Sequence, residues 1–503
     1  MSDKRTTIIK IRNKEDKEEI RDYFYKYRHF ENMLLILIKN NYNLSKEEKD
    51  RNDFKYLSDY SVMRAVLRST EGGKHKGKAD YIKEKYKDNQ LMRDLIILSE
   101  ELKIHNLSMI IRRIKGQFKG FFKKVKTDKT SRPPCPKKLS NLVEYSIPLD
   151  QNSWSLKKEN LLEINLSDKM FYIYLKHDHL IEIVKDLKNI DSLTICLSNN
   201  DIYLHVTYKY LRQEKQRVAE EKLSSLDAGI TNLASIFIDD EKTKSLIISG
   251  EIFKTYNSDF NRLMGKINNS IDLLKNELKE KDISEQVKKL DYLKKFRSFL
   301  YEKRNRFFRD QFHKMSKRIL EYLYFNNVTD LIISRNISEL KNNGTVNLGP
   351  SNNQKFIQIP VIRLLDYLTY KAGDYNIRIH NIDEAYSSKS SCLSDDVSKI
   401  QENPILANDI NGYRAKRGLF KDTLLNKIWN CDLNGAVNYI KIHTKKNMDY
   451  LKTFWWKICN PIKLKCDWEL VNLTKLINTE KDKVSFWLTT SCSRKLISRY
   501  SYL

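Results

Sequence analysis

The chain has 503 residues, of which 40% are hydrophobic, so it is long enough for roughly two to four domains with their own cores. Its 92 Lys and Arg residues exceed its 65 Asp and Glu residues and give a net charge of +27. This excess favours a polyanionic partner, either nucleic acid or an anionic membrane. An AT-rich genome would explain the abundant lysine but not the excess over acids.

Apolar runs and cysteine usage narrow the choice of partner. The longest apolar run, "MLLILI" at 33–38, is far shorter than the roughly 20 residues of a membrane span, and the N-terminus lacks the apolar block of a signal peptide. The seven cysteines are odd in number and form no CxxC pair, which argues against a disulfide scaffold. We therefore expect a cytoplasmic, nucleoid-associated protein of a bacterium, with no membrane partner.

The N-terminal half is predicted to be helical between β segments. Residues 5–12 alternate like a strand, and 15–125 have the spacing of helices. Within 106–126 the apolar residues share one face, and the cations gather elsewhere without interleaved acids. They predict a surface that follows a phosphate backbone, whereas a solvated helix face is the alternative for any single one. The set comprises Arg112, Arg113, Lys119, Lys123 and Lys124.

Short strand-like runs follow the Pro-rich break "TSRPPCPKK" and continue to about residue 212. They are "EYSIPL", "LLEINL", "MFYIYL", "SLTICLS" and "DIYLHVTYKY". Several short strands with polar connections suggest a small barrel or sandwich. The strand at 5–12 would complete it, which makes 15–125 a helical insertion.

A regular order of elements begins at residue 222. Strands are predicted at 223–227, 233–238, 245–249, 328–334 and 377–381, with helices at 257–326, from about Pro360 and from about 433. Three hairpin strands followed by alternating helix and strand is the element order of the RNase H-like fold. Another α/β domain could share this order.

Three acids stand where an RNase H-like nuclease needs carboxylates to hold two Mg²⁺ ions. Asp227 lies on the first strand, Glu384 follows the last strand, and Asp432 begins the last helix. A carboxylate inside a strand is costly unless it is paired or binds a metal. The alternatives are a solvated loop acid at 384 and a helix N-cap at 432, but the three together predict a catalytic metal site. Asp383 and Glu339 are further candidates.

At this point the sequence resembles a known family. The segments "LDAGITNLA", "IPVIRLLDYLTYKAGDYNIRI", "DEAYSSKSSCL" and "CDLNGAVNYI" are similar to the RuvC segments of TnpB, the transposon-encoded OrfB nucleases related to compact type V CRISPR effectors and to Fanzor. The resemblance implies RNA-guided, Mg²⁺-dependent cleavage of double-stranded DNA beside a short flanking motif. It implies as partners a guide RNA from the transposon end and the target DNA. A monomer is favoured.

The resemblance implies a multidomain α/β protein with an RNase H-like (RuvC) nuclease domain and an N-terminal β-barrel wedge domain that carries a helical insertion. The expected divisions are the first wedge strand (1–14), a helical recognition domain (15–125), the wedge barrel (126–215), the RuvC domain (216–391), a degenerate nucleic-acid-binding insert (392–427), the last RuvC helix (428–445) and a tail without an assigned role (446–503). In the helix "EKRNRFFRDQFHKMSKRIL", Arg304 and Arg306 are expected to line the heteroduplex channel, with a solvated helix face as the alternative.

The sequence departs from the family pattern at two places. Most TnpB proteins carry the middle glutamate at the end of the fourth strand, where this chain has Ser334, and Glu384 matches a rearranged layout found in a subset of the family. The insert also has too few Cys and His residues for four-ligand zinc. We expect a metal-free insert whose cations contact nucleic acid, namely Arg414, Lys416 and Arg417.

Three other functions are also considered for a protein with these acids. A nuclease-inactive RNA-guided repressor would retain the fold, and the shifted glutamate leaves room for it. A type V CRISPR effector would differ only in its genomic context. A strand-transfer transposase usually ends its acidic triad with a glutamate, so Asp432 followed by "LNGAVN" disfavours it.

Overall fold

The structure is a computed structural model of the chain. It describes residues 3–48, 52–68, 74–139, 145–158, 160–167, 169–175, 190–198, 201–210, 221–280, 284–335, 359–416 and 418–465. The chain divides into two compact units, Met1–Leu211 and Arg212–Leu503. Each unit combines helices with sheets, so the protein is a multidomain α/β protein.

The helices described in the first unit lie between its first and second strands. They are α1 (Lys14–Glu48), α2 (Asn52–Leu57), α3 (Tyr60–Arg68), α4 (Lys76–Lys85), α5 (Gln90–Glu100) and α6 (Ile104–Val125). Most of the apolar face predicted for α6 is buried: Ile111, Ile114 and Phe118 are each at most 1% exposed, whereas Phe121 and Val125 are half-buried. These residues join the core that the helices share with the strands of this unit.

The strands of the first unit form two antiparallel sheets. The first sheet has the order β1–β7–β6–β2, made of Asp3–Lys10, Asp201–Tyr210, Ile190–Ser198 and Ser146–Leu149. The second has the order β3–β4–β5, made of Trp154–Lys158, Leu161–Asn165 and Met170–Tyr174. As predicted, the N-terminal strand pairs with a strand that follows the helices, since Thr6 lies opposite Thr207. The predicted barrel is not confirmed, because the described strands pair into two separate sheets.

A six-stranded sheet forms the centre of the second unit. Its strands are β8 (Leu223–Asp227), β9 (Asn232–Ile238), β10 (Leu246–Ser249), β11 (Asp330–Ser334), β12 (Arg378–Ile382) and β16 (Ile462–Leu464), in the order β12–β11–β8–β9–β10–β16. The strands β8, β9 and β10 are antiparallel neighbours, whereas β11 and β12 run parallel to β8. Every strand predicted from residue 222 onward is present within a few residues of its expected position.

Helices cover the sheet and extend from it. They are α7 (Glu251–Glu280), α8 (Ser284–Phe325), α9 (Val361–Ala372), α10 (Val397–Glu402), α11 (Cys431–Thr444) and α12 (Trp456–Cys459). The second half of α8 packs with α9 in one core, where Phe312 and Leu364 are fully buried. The last long helix, α11, packs with Ile332 and Phe237 of the sheet in another core.

A small sheet begins in the predicted insert (392–427) and ends just beyond it, at residue 430. Its strands β13 (Gly412–Lys416), β14 (Leu419–Asp422) and β15 (Lys427–Asn430) are antiparallel. Phe420 and Trp429 are buried in the core beneath α11, so this sheet is anchored against the helix that follows it. Beyond α11, β16 pairs parallel with β10, which makes residues 462–464 an edge of the central sheet. None of the helices within the described ranges is long and apolar enough to cross a membrane.

The turn from β10 into α7 gives a stability prediction. A Cβ atom at Gly250 would lie 2.1 Å from the carbonyl oxygen of Ile230, a backbone atom that cannot move aside cheaply. We expect Gly250→Ala to lower the stability of the second unit by about 1–3 kcal/mol, as overpacking does. The measurement is the shift of its thermal or urea transition.

Gly265, inside α7, is the matched control, because its added Cβ would meet no heavy atom within 4 Å apart from the adjoining backbone of its own helix. Gly265→Ala should be neutral or stabilising, since glycine costs a helix up to about 1 kcal/mol relative to alanine. Equal stability of the two variants would contradict the predicted clash.

Candidate active site

Asp227 stands at the end of the central strand β8 and faces α11. Side chains alternate along a strand, so Asp227 shares its face with Ser225. The Ser225 hydroxyl donates a hydrogen bond to the backbone oxygen of Ala436 at 2.6 Å, which fixes α11 against this face. The strand therefore points its carboxylate at the last helix.

A glycine lets the helix approach that carboxylate. A Cβ atom at Gly435 would lie 2.9 Å from Oδ2 of Asp227, closer than real Cβ contacts come. Any larger residue at 435 would displace Asp227 or push α11 outward. The contact explains why "CDLNGAVNY" has a glycine in the middle of a helix, where glycine is otherwise unfavourable.

Asp432 lies in the first turn of α11 but does not cap it. The cap is Asn430, whose side chain accepts hydrogen bonds from the backbone amides of Asp432 and Leu433 at 3.0 and 3.1 Å. The Asp432 carboxylate is directed elsewhere and accepts a hydrogen bond from Asn232 Nδ2 at 2.6 Å. Asn232 opens β9, so the neighbouring strand holds this acid in place.

Glu384 reaches the same place from the loop after β12. Ile333 of β11 pairs with Leu226 of β8, and Ser334 pairs with Ile382 of β12. The end of β11 is thus nearest to Asp227 and carries a buried serine, while the glutamate follows the next strand outward. Its Oε2 accepts a hydrogen bond from the Tyr439 hydroxyl at 2.5 Å.

Tyr439 connects two of the acids. Its hydroxyl lies 2.5 Å from Oε2 of Glu384 and 3.3 Å from Oδ1 of Asp227. Asp432, Gly435 and Tyr439 are three and four residues apart, so they share one face of α11. This face of the helix therefore carries Asp432 and contacts Asp227 and Glu384 through Tyr439.

Two buried asparagines fasten the loop that carries Glu384. Asn438 Nδ2 donates to the backbone oxygens of Ser387 and Ser390 at 2.7 and 2.9 Å. Asn434 Nδ2 donates to Ser390 at 2.8 Å, and its Oδ1 accepts from Trp429 Nε1 at 3.0 Å. The asparagines of "LNGAVN" therefore bind the segment "YSSKSS" to α11.

The acids repel one another. Burial raises the pKa of Asp227 well above its ordinary value, and the charges of Asp432 and Glu384 raise it further. Arg414 of β13 acts in the opposite direction, as its positive charge lowers the pKa of Asp227. Burial and the charge of Asp227 also raise the pKa of the Tyr439 hydroxyl, so it stays protonated and can donate.

The three carboxylates are chemically suited to a hard divalent cation, although their side chains do not surround a common point. Carboxylate oxygens are the ligands that Mg²⁺ prefers, and the repulsion at Asp227 is what a cation would relieve. The pocket against Gly435 also has no room for a larger side chain. Within the described residues, however, no group of three Asp, Glu, His or Cys side chains is close enough to hold a metal ion. Asn232 and Tyr439 hydrogen-bond to Asp432 and Glu384 instead.

The cations predicted on α6 fall into two groups. Lys119, Lys123 and Lys124 are exposed. Arg112 is exposed too, with its guanidinium over the Tyr60 ring at 4.0 Å from the centroid. Arg113 differs, because it donates to the buried Glu31 carboxylate at 2.7 Å and to the Ser146 backbone oxygen at 2.8 Å. Its charge is neutralised inside the first unit.

The cations predicted in the second unit also differ among themselves. Arg304 is half-buried and donates to Asn257 Oδ1 at 2.8 Å. Arg306 is exposed, 3.7 Å from Glu302 in the same helix. Arg414 and Lys416 are exposed on β13. Arg417 lies outside the described residues.

The other candidate acids lie apart from this arrangement or outside the described residues. Asp383 is exposed and accepts a hydrogen bond from the Ala385 amide at 3.1 Å, which stabilises the turn. Glu339 falls in 336–358, outside the described residues.

Sequence reasoning missed two residues of the site, Tyr439 and Asn232. A signal was present for Tyr439, which stands seven residues after Asp432 and so on the same helix face. For Asn232 the only signal was its position at the start of β9, the strand that pairs with the strand of Asp227. No spacing rule connects Asn232 to Asp432. Its role becomes visible only once β9 and α11 are packed together.

A family model matches the end of the first unit and the first part of the second unit. Residues 205–338 match the OrfB_IS605 family model, described as a probable transposase. The match includes Asp227 and ends before Glu384 and Asp432. No functionally curated protein matches the sequence.

Two solved structures align along most of the chain. One, "Cryo-EM structure of the Cas12f1-sgRNA-target DNA complex", is 15% identical and covers 87% of this chain and 98% of that chain, with a TM-score of 0.30. The other, "Cryo-EM structure of CRISPR-Cas12f Ternary Complex", is 12% identical and covers 85% of each chain, with a TM-score of 0.28. TM-scores this low carry no argument about fold or function.

The repulsion at Asp227 gives a pH prediction. The folded-state pKa of Asp227 lies above its ordinary value of 3.8. The folded state therefore binds the proton more tightly, and stability falls as the pH rises from about 4 through the folded-state pKa. In metal-free buffer, Asp227→Asn should raise the melting temperature at pH 7–8, and the gain should shrink toward pH 4.

Asp383→Asn is the control for that measurement. It removes one negative charge from an exposed position one residue from Glu384, where an asparagine can keep the turn. Its melting temperature should match that of the unaltered protein across the same range. A gain at Asp383 equal to that at Asp227 would mean that net charge, not burial beside two acids, sets the effect.

Proposed function

The chain is a TnpB-like (OrfB) protein, and from that premise we propose that it is an RNA-guided DNA endonuclease. In this proposal it hydrolyses phosphodiester bonds of double-stranded target DNA beside a short flanking motif. A guide RNA from the transposon end selects the target by base pairing, while the protein reads the flanking motif.

One observation carries the proposal: three acids from separate elements converge on one face of α11. Asp227 comes from β8, Glu384 from the loop after β12, and Asp432 from the first turn of the helix, with Tyr439 bridging the first two. A buried carboxylate whose pKa is raised by two others is costly to keep in a fold. Function is the usual reason for such a cost, because perturbed carboxylates cluster at active sites.

The central sheet supports the assignment to the RNase H-like (RuvC) class. The antiparallel hairpin strands β8, β9 and β10 are followed by β11 and β12 parallel to β8. The final helix α11 then packs on β8, with the Ser225–Ala436 hydrogen bond between them. An acid on the first strand and one on the last helix are thereby brought together.

Asp227, Glu384 and Asp432 would hold the Mg²⁺ ions of the proposed nuclease, two in number. Bound there, the ions would supply a lowered pKa for the attacking water and charge stabilisation of the leaving oxygen. The chain's own residues orient the ligands: Asn232 holds Asp432, and Tyr439 holds Glu384. The positive charge of Arg414 near Asp227 would favour the approach of a DNA phosphate.

Two exposed basic surfaces would bind the nucleic acids. The α6 surface consists of Arg112, Lys119, Lys123 and Lys124. The insert surface consists of Arg414 and Lys416 on β13, which pairs with β14, the strand whose Phe420 packs in the core with Trp429 and α11. Arg113 and Arg304 are not included, because each guanidinium is bound inside its own unit.

A second candidate is an RNA-guided DNA-binding protein that does not cut. One observation favours it: no three metal-ligand side chains among the described residues are close enough to hold an ion. On this alternative the acids would remain hydrogen-bonded to Asn232 and Tyr439, and the protein would act as a repressor.

The RNA that accompanies the protein tests the guided mechanism. The protein would be purified from cells that carry its native flanking DNA, and the bound RNA sequenced. A single abundant RNA overlapping the 3′ end of the gene, with a transposon-flanking segment, supports the proposal. Repeat-spacer RNA would indicate a CRISPR effector, and the absence of enriched RNA would contradict the guided mechanism.

The acids give a prediction that separates the two candidates. With the guide RNA bound, Asp227→Ala should reduce cleavage of target DNA at least about 100-fold, more than loss of a residue that supports a ligand costs. Binding of the same DNA should be unchanged in a mobility-shift assay. Asp383→Asn should leave both unchanged.

If the unaltered protein binds the target DNA and does not cut it at any Mg²⁺ concentration, the alternative that the protein is a non-cutting repressor is correct. If Asp227→Ala still cuts, the acids at 227, 384 and 432 are not the catalytic site.

The α6 surface gives a prediction about salt dependence. Lys119, Lys123 and Lys124 are exposed, and none of them forms an ion pair with another of the described residues. Each phosphate contact contributes about −0.9 to the slope of log K against log salt concentration on duplex DNA. Replacing all three by Gln should therefore flatten the slope by about 2–3, measured by fluorescence anisotropy with a labelled duplex.

Three lysines of the same unit form the matched control. Lys26, Lys157 and Lys169 already pair with Glu101, Glu163 and Glu19 at 2.9, 3.0 and 2.5 Å. Replacing them by Gln changes the net charge equally and should leave the slope nearly unchanged. Equal flattening in both triple variants would mean that net charge, not the α6 surface, sets the affinity.

A further inference from the structure

Glu384 differs from the other two acids in its support. Asp227 belongs to a central strand and Asp432 to a helix, so hydrogen-bonded secondary structure fixes both backbones. Glu384 lies in the loop after β12, two residues beyond Ile382. A carboxylate on a loop needs a partner from a rigid element to hold its direction.

Tyr439 is that partner. It is 2% exposed and lies within α11, so its ring cannot swing away without disturbing the helix core. Its hydroxyl has one proton and donates it to Oε2 of Glu384, the shorter contact at 2.5 Å. The oxygen of the same hydroxyl lies 3.3 Å from Oδ1 of Asp227. One atom of a rigid helix therefore sets how far the Glu384 carboxylate stands from the Asp227 carboxylate.

We infer that Tyr439 is the positioning residue that adapts this site to a glutamate supplied by the loop after β12, and that its hydroxyl sets the affinity for divalent ions. The inference rests on the proposed nuclease function. The end of β11, the strand adjacent to β8, carries Ser334, which cannot serve as an acidic ligand. The glutamate must then reach inward from the next strand, and Tyr439 orients it there.

Tyr439→Phe removes only the hydroxyl and keeps the ring. Tyr450→Phe is the matched control, because the Tyr450 hydroxyl also donates to a carboxylate, Oδ1 of Asp239 at 2.6 Å, in the same unit. Both variants lose one hydrogen bond to an acid. Only the first loses it at the proposed metal site.

The first readout is the binding of Mn²⁺ to the metal-free full-length protein, followed by electron paramagnetic resonance of the free ion. We expect Tyr439→Phe to weaken Mn²⁺ binding roughly 10- to 100-fold, the usual loss when a residue that orients a metal ligand is removed. Tyr450→Phe should bind Mn²⁺ as the unaltered protein does. The second readout is the Mg²⁺ concentration for half-maximal cleavage, which should rise by a similar factor in Tyr439→Phe alone.

A rescue separates positioning from packing. Installing 4-aminophenylalanine at 439 keeps the ring and restores a donor at the same place, so it should recover most of the lost affinity. Unchanged Mn²⁺ affinity and Mg²⁺ requirement in Tyr439→Phe would overturn the inference while leaving the nuclease proposal intact. The same holds if the aminophenylalanine variant binds no better than Tyr439→Phe. If the unaltered protein neither binds Mn²⁺ nor cuts DNA, the nuclease proposal fails and the inference fails with it.

Discussion

The close approach of α11 to β8 is the constraint on which the candidate site depends. Two contacts define it: the hydrogen bond from Ser225 to the Ala436 backbone oxygen, and the missing side chain at Gly435. Because the helix lies this near the strand, Asp432 and Tyr439 come within reach of Asp227. The helix also binds the loop of Glu384 through Asn434 and Asn438. The site is therefore assembled by one helix rather than by any single strand end.

Bringing these acids together lowers the stability of the fold. Burial of Asp227 beside two other acids favours its neutral form, and the hydrogen bond from Tyr439 and the charge of Arg414 offset only part of this effect. A fold selected for stability alone would place an apolar or paired residue at this end of β8. The strain is concentrated where the proposed chemistry needs negative charge, as expected of a functional site.

Much of this second unit could be predicted from the sequence, for physical reasons. Strands β8 to β12 are short apolar runs between clear breaks, so their existence and order follow from periodicity. Asp227 and Asp432 could be named because a carboxylate inside a strand is anomalous and because "CDLNGAVNY" is a helix start. The spacing of Tyr439 places it on the same helix face as Asp432 but does not connect it to Glu384, and no spacing connects Asn232 to Asp432. These hydrogen bonds depend on how the elements pack together. The first unit was harder to predict: its described strands pair into two separate sheets, and alternation alone cannot distinguish such sheets from a barrel.

The position of Glu384 after β12, rather than at the end of β11, determines how the candidate site is arranged. With Ser334 at the end of β11, the acid must come from beyond β12, and a tyrosine on α11 meets it. The insert sheet β13–β15 precedes α11 directly and shares its core through Trp429. Its exposed Arg414 is therefore held near Asp227 by the same packing that orders the helix. The proposed nuclease centre and the proposed nucleic-acid surface beside it thus depend on one structural element.

The most direct test is a crystal structure of the protein soaked with Mn²⁺, with the ions located by their anomalous scattering. We expect anomalous peaks in contact with the carboxylates of Asp227, Glu384 and Asp432, with Glu384 still within hydrogen-bond distance of the Tyr439 hydroxyl. No peak at these carboxylates at saturating Mn²⁺, or peaks only at other acids such as Asp330, would contradict it.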